Sequence, residues 1–107
     1  MAHEIVVLVT AASQEEASQI AGRLVEEKLA ACANIIPGVR SIFSWRGEIC
    51  DESEVLLIIK TTRKNLCHLV EMVEEIHSYE VPEIIALPIV GGSEDYLSWL
   101  NEEASRE

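Results

Sequence analysis

Few side chains in this 107-residue chain could ligate a metal: Cys32, Cys50, Cys67, His3, His68 and His77. No pair of them has the spacing of a zinc or iron–sulfur site. Cys67 and His68 are neighbours on an expected helix, so they point in different directions. His68 and Met72, four apart, share a side of that helix and could hold copper(I), or they are ordinary surface positions. His77 falls where the helix should end. There the helix dipole favours a cation, so a structural role and metal ligation both fit it. Cys32, just before an apolar strand, is expected in the core, and Cys67 on the helix flank is expected to be the more reactive thiol. Local spacing assembles no nucleophile–base pair, carboxylate dyad or phosphate loop.

Charge narrows the partners. Nineteen Asp and Glu against eight Lys and Arg give a formal net charge of −11. Such a surface repels nucleic-acid backbones and anionic lipid, so neither nucleic acid nor membrane is an expected partner. No apolar run approaches the length of a membrane span. The start, Met1-Ala2-His3-Glu4-Ile5, lacks the basic and apolar regions of a signal peptide. An odd cysteine count makes no disulfide framework, and the expected location is the cytoplasm, with reduced thiols.

The elements that must position these residues follow from periodicity. Ile5–Val9 is a continuous β-branched run, read as strand one. Ser13 followed by Glu16 is a capping box opening a helix whose apolar stripe is Ala17, Ile20, Ala21, Leu24, Val25 and Leu29. Residues 33–45 form a long second strand interrupted by Pro37-Gly38, which requires a sheet edge or a bulge. Arg46-Gly47 is a hairpin turn, and Val55–Ile59 is strand three. Thr62 is expected to cap a second helix with stripe Leu66, Leu69, Val70, Val73 and Ile76. Residues 84–87 form strand four between Pro82 and Pro88, and Ser93 caps a short final helix.

The order β-α-β-β-α-β plus a C-terminal helix predicts an α+β, ferredoxin-like split βαβ antiparallel sheet, one domain over residues 1–107. Strands one and three should be central, two and four edges. Two helices cover one face of such a sheet, yet strands one and three are apolar on both faces. Burial against other subunits is the simpler cover for the second face. The fold hosts many functions, so sites must decide. The central strands carry no aromatic residues for RNA stacking. The turn after strand one, Val9-Thr10-Ala11-Ala12-Ser13, holds neither a Cys-x-x-Cys copper site nor an arginine for acyl-phosphate chemistry.

The segment His77-Ser78-Tyr79-Glu80-Val81-Pro82-Glu83-Ile84 resembles the signature of the CutA divalent-cation-tolerance family, usually His-Pro-Tyr-x-x-Pro-Glu. Leu29–Gly38 is similar to that family's helix-to-strand passage, and Tyr96-Leu97-Ser98-Trp99-Leu100 to its C-terminal helix. With Trp45 and Lys60-Thr61, the match runs over nearly the whole chain. The resemblance implies a homotrimer and a role in tolerance of divalent cations, notably copper, without catalysis or an obligatory cofactor. It also implies a likeness to PII signalling trimers, whose clefts bind small effectors, so a sensor or scaffold for a metabolite or partner protein is the alternative. Copper ligation in bacterial relatives is attributed to a cysteine ending strand one and two consecutive histidines. Here those positions are Val9 and Ile76-His77, so His77 alone remains as a metal ligand, and Ser78 replaces the usual proline. A second expected site is a cleft of Trp45, Lys60, Tyr79 and Glu83. Aromatic walls with one cation and one carboxylate suit a small anionic or zwitterionic ligand. Alternatively the aromatic residues pack at an interface.

Overall fold

A computed structural model describes residues 3–105; Met1 and Ala2, part of the N-terminal segment read above, lie outside it. The elements are β1 (Glu4–Ala11), α1 (Gln14–Glu26), β2 (Cys32–Trp45), β3 (Glu48–Thr62), a 3-10 turn (Arg63–Asn65), α2 (Leu66–Ile76), β4 (Ile84–Pro88) and α3 (Glu94–Glu103). The sheet order is β2-β3-β1-β4, antiparallel throughout, which is the ferredoxin-like arrangement with β1 and β3 at the centre. The prolines sit as an edge strand allows: Pro37 lies at a register shift between Ile36 and Val39, and Pro88 ends β4.

Local chemistry explains most boundaries. Ser13 Oγ accepts from the Glu16 amide at 3.1 Å, and the Glu16 carboxylate accepts from Ala12 N at 2.9 Å, so one side chain at each end of the first turn satisfies an orphan donor. Ser93 caps α3 in the same way, accepting from Tyr96 N at 3.3 Å. At the β2–β3 turn Arg46 and Gly47 both take positive φ, 50° and 83°, the geometry that matches strand twist in a two-residue hairpin. Strand three is much longer than the Val55–Ile59 run read from sequence. It continues back to Glu48 and pairs with β2 as far as Trp45, forming a long hairpin arm. Mixed polar and apolar residues from Ile49 to Ser53 hide that extension, because an arm with two wet faces needs no apolar run.

Three expectations are corrected. Thr62 does not cap α2: it is still paired to Glu4 in the sheet, a 3-10 turn intervenes, and its side chain makes no capping hydrogen bond. Cys32 is not in the core: it is half-buried opposite Lys60, on the face of the sheet away from α1 and α2. Met72 is buried in the core while His68 is exposed, so these two residues do not share a surface.

The core lies between the sheet and the two long helices. Val7, Val9, Leu57 and Ile59 meet Ile20, Leu24, Leu69 and Val73, all with no exposed surface. At the end of this core a polar cluster ties three segments together. Thr61 Oγ1 donates to Leu29 O at 2.6 Å, and Asn65 Nδ2 reaches Thr61 Oγ1 at 3.2 Å and Ala104 O at 2.5 Å. On the opposite face Val6, Leu8, Leu56 and Ile58 are half-buried, and Ile36, Ile85 and Leu87 are exposed. The register makes these one continuous apolar surface, with Leu8 opposite Ile58 on one side and Ile85 on the other. Helix α3 closes a small cluster of Ala31, Leu100 and Ala104 with Ile89, and leaves the rest of that face bare. Among the described residues no helix is long and apolar enough to cross a membrane.

Candidate functional site

His77 ends α2, its amide bonded to Val73 O at 2.9 Å while its own backbone turns extended. That turn folds the ring inward, and the side chain is fully enclosed. Nε2 lies 2.7 Å from Thr10 O and can only donate to it. Nδ1 therefore accepts, and does so from Tyr79 N at 3.0 Å. These partners assign a neutral imidazole with its proton on Nε2. Glu16 Oε2 stands 3.9 Å from Nδ1 and accepts from Ser78 N at 2.7 Å. Burial pushes the Glu16 carboxyl up, but bonds from Ala12 and Ser78 outweigh it and hold the group below its ordinary range. The Glu16 that caps α1 thus also anchors the segment after α2.

That anchored segment aims Tyr79. Its ring packs 4.7 Å from His77, and its hydroxyl donates to Glu54 Oε2 at 2.7 Å. Burial, then the bonded Glu54 carboxylate, pushes the phenol well above its ordinary value. Glu54 is 7 % exposed, on the bare face of the sheet where the hairpin arm begins. Around it opens a groove of about 530 Å³ lined by Phe43, Trp45, Glu54, Tyr79, Val81 and Glu83 among others. A second concavity of about 310 Å³ adjoins it past Trp45 and Tyr79, with Glu52, Glu80 and Cys50 on its wall. Among the described residues no Lys, Arg or His lines either space. Arg46 lies over the Trp45 ring at 5.1 Å and is held by Glu80 at 2.5 Å.

Of the cleft read from sequence, Trp45, Tyr79 and Glu83 come together and Lys60 does not. Lys60 pairs with Val6 and Cys32 and donates to Asn34 Oδ1. It lies six strand residues from Glu54, roughly 20 Å along β3. Without it the groove is acidic and aromatic, not mixed in charge. The residues that sequence reasoning missed are Glu54, Phe43, Glu16 and the Thr10 carbonyl. Among the described residues no group of three or more His, Cys, Asp or Glu side chains could hold a metal ion.

Fold and topology place this chain among the α+β ferredoxin-like domains. Residues 5–103 match the model of the CutA1 divalent ion tolerance protein family, and the chain belongs to that family. It is 52 % identical over 99 residues to the divalent-cation tolerance protein CutA of Thermus thermophilus, covering 92 % of this chain and 96 % of that protein. A chloroplastic CutA protein of Arabidopsis thaliana is 52 % identical over 96 residues, 90 % of this chain; the chain spans about half of that relative, 53 %. The crystal structure of CutA1 from Oryza sativa superposes with a TM-score of 0.93 at 47 % identity, covering 99 % of this chain and 96 % of that one.

Proposed function

We propose that the protein serves divalent-cation tolerance as a cytoplasmic homotrimer that binds a positively charged ligand in the groove of Trp45, Tyr79, Glu54 and Glu83 and catalyses no reaction. The observation that carries the ligand class is Glu54. Its carboxylate is nearly buried, one oxygen is committed to Tyr79, and the groove around it offers aromatic faces and no basic side chain. A buried carboxylate lacking a cation is costly, and aromatic faces attract organic ammonium groups, so both features favour a cation with some apolar surface. The anionic ligand suggested by Lys60 does not fit such a lining. The continuous apolar face of Val6, Leu8, Leu56, Ile58, Ile85 and Leu87 supports the trimer, and the three unpaired cysteines support a reducing compartment.

A second reading puts copper on His77, favoured by the Glu16 carboxylate 3.9 Å from Nδ1. Binding there requires the ring to release Tyr79 N or Thr10 O. Calorimetric titration with tetramethylammonium and with copper(II) separates the two. The first reading expects saturable tetramethylammonium binding that Glu54→Gln weakens about tenfold or more, the loss of one charge-assisted contact. Copper heat that survives Glu54→Gln and disappears in His77→Ala assigns copper to His77 instead. The PII-like alternative shares the groove and is favoured if a metabolite bearing an ammonium group binds there far more tightly than tetramethylammonium does.

A further inference from the structure

At the other end of β3 from the groove, the chain gathers positive charge. Arg63 and Lys64 follow Thr62, and with His3, Thr62, Asn101 and Ser105 they enclose a concavity of about 230 Å³. In a protein of net charge −11 this is an unusual place for adjacent cations. Arg23, Arg40 and Arg46 are each held by a carboxylate within 3.1 Å. Arg63 and Lys64 form no ion pair with a described residue, and both are exposed.

A second observation is independent of the charges. Thr62 is 8 % exposed, lines the concavity, and its side chain makes no capping bond to the turn that follows it. Competing groups at the site are already engaged. Arg63 N donates to His3 O at 2.8 Å, the Ala104 carbonyl accepts from Asn65, and Glu4, opposite Thr62 in register, accepts from the Asn101 amide.

We propose that this concavity binds a phosphate group, with the Arg63 fork, the Lys64 ammonium and the Thr62 hydroxyl as its donors. A guanidinium matches two phosphate oxygens at once, an ammonium adds a point charge, and the hydroxyl of Thr62, a residue of the lining, is a third donor. The volume suits one phosphate moiety, free or as a monoester. The site is separate from the acidic groove and does not depend on what binds there.

Amide chemical shifts of the intact protein, followed during titration with sodium phosphate at constant ionic strength, test it. Saturable shifts centred on residues 62–64, absent with sodium chloride and much weaker with acetate, are expected. Arg63→Ala with Lys64→Ala should weaken phosphate binding at least tenfold, the cost of removing charge-assisted bonds, and Thr62→Val should weaken it less. Arg40→Ala, on the hairpin arm, should leave it unchanged. A parallel titration with glycerol phosphate distinguishes the sources: tighter binding than inorganic phosphate assigns a monoester, weaker binding assigns the free ion. No saturation, equal response to acetate, or binding that persists in the Arg63, Lys64 double variant overturns the proposal.

Discussion

The two faces of the sheet are built from the same strands and the same kinds of residue, yet they have different fates. Toward α1 and α2, Val7, Val9, Leu57 and Ile59 are completely enclosed. One residue along, Val6, Leu8, Leu56 and Ile58 are half-buried, and across from them Ile85 and Leu87 stay about half exposed, at 51 % and 50 %. The helices account for the first face within one chain. The second has the composition of a core without its cover, and α3 is too short to supply it. An apolar, bare face of this kind is where the proposed trimer would place its contacts.

The sharpest way to break this comparison is one charge placed on either face. Ile59→Asp buries an unpaired carboxylate among the core helices and should cost more than ~5 kcal/mol, comparable to the whole stability of a domain this size. Circular dichroism should show no cooperative folded state. Ile58→Asp, its neighbour, places the charge on the bare face. It should leave a folded chain that light scattering reports as a monomer, where the proposed trimer of the parent predicts three times the mass. A folded Ile59→Asp, or an Ile58→Asp that still forms trimers, would show that the faces are not divided in this way.

The sequence made that division legible, because strands one and three fail to alternate where a half-covered sheet should alternate. The edge prolines, the Arg46-Gly47 turn and the caps at Ser13 and Ser93 were equally readable, each resting on one local rule. The site was less so. Glu54 sits in the run Asp51-Glu52-Ser53-Glu54, where nothing local separates the buried carboxylate from its wet neighbours. Only the register with β2 and the reach of Tyr79 do that. Lys60 entered the cleft by resemblance, and strand length carries it away. Asn65 carries no signal of its own in the sequence, yet its amide bonds to Ala104, 39 residues on. Contacts between distant segments leave no spacing to read.

A middle-sized effect tests the join between the helix-covered face and the groove. From sequence, His77 fits both metal ligation and an end-of-helix cation, and the latter is worth at most ~2 kcal/mol. The structure encloses it fully and bonds both ring nitrogens. His77→Ala should therefore leave Thr10 O and Tyr79 N unpaired around a cavity and cost about 2–4 kcal/mol in denaturant melts. Because β1 and α2 retain their apolar packing, the proposed trimer should be unaffected. A loss under ~1 kcal/mol would mean that the imidazole contributes no more than a surface residue does.

The smallest effect is a matter of pH. Glu16 links the start of α1 to the segment that carries Tyr79, accepting from Ala12 N and Ser78 N, and its folded pKa lies below the ordinary 4.5. A depressed carboxyl contributes stability that is fully present above its unfolded pKa and is lost as pH falls through its folded pKa. Glu16→Gln keeps one acceptor oxygen but no charge, so at pH 7 it should destabilise the protein by about 1 kcal/mol. As the pH falls below the ordinary carboxylate range and through the lowered folded pKa, the parent carboxyl takes up a proton and the two proteins should converge in stability. Paired denaturant melts from pH 7 down to the acid limit of reversible folding measure the gap directly. A gap that stays constant with pH would mean that the two amides respond to the shape of the side chain, and that its charge does not hold the Tyr79 segment in place.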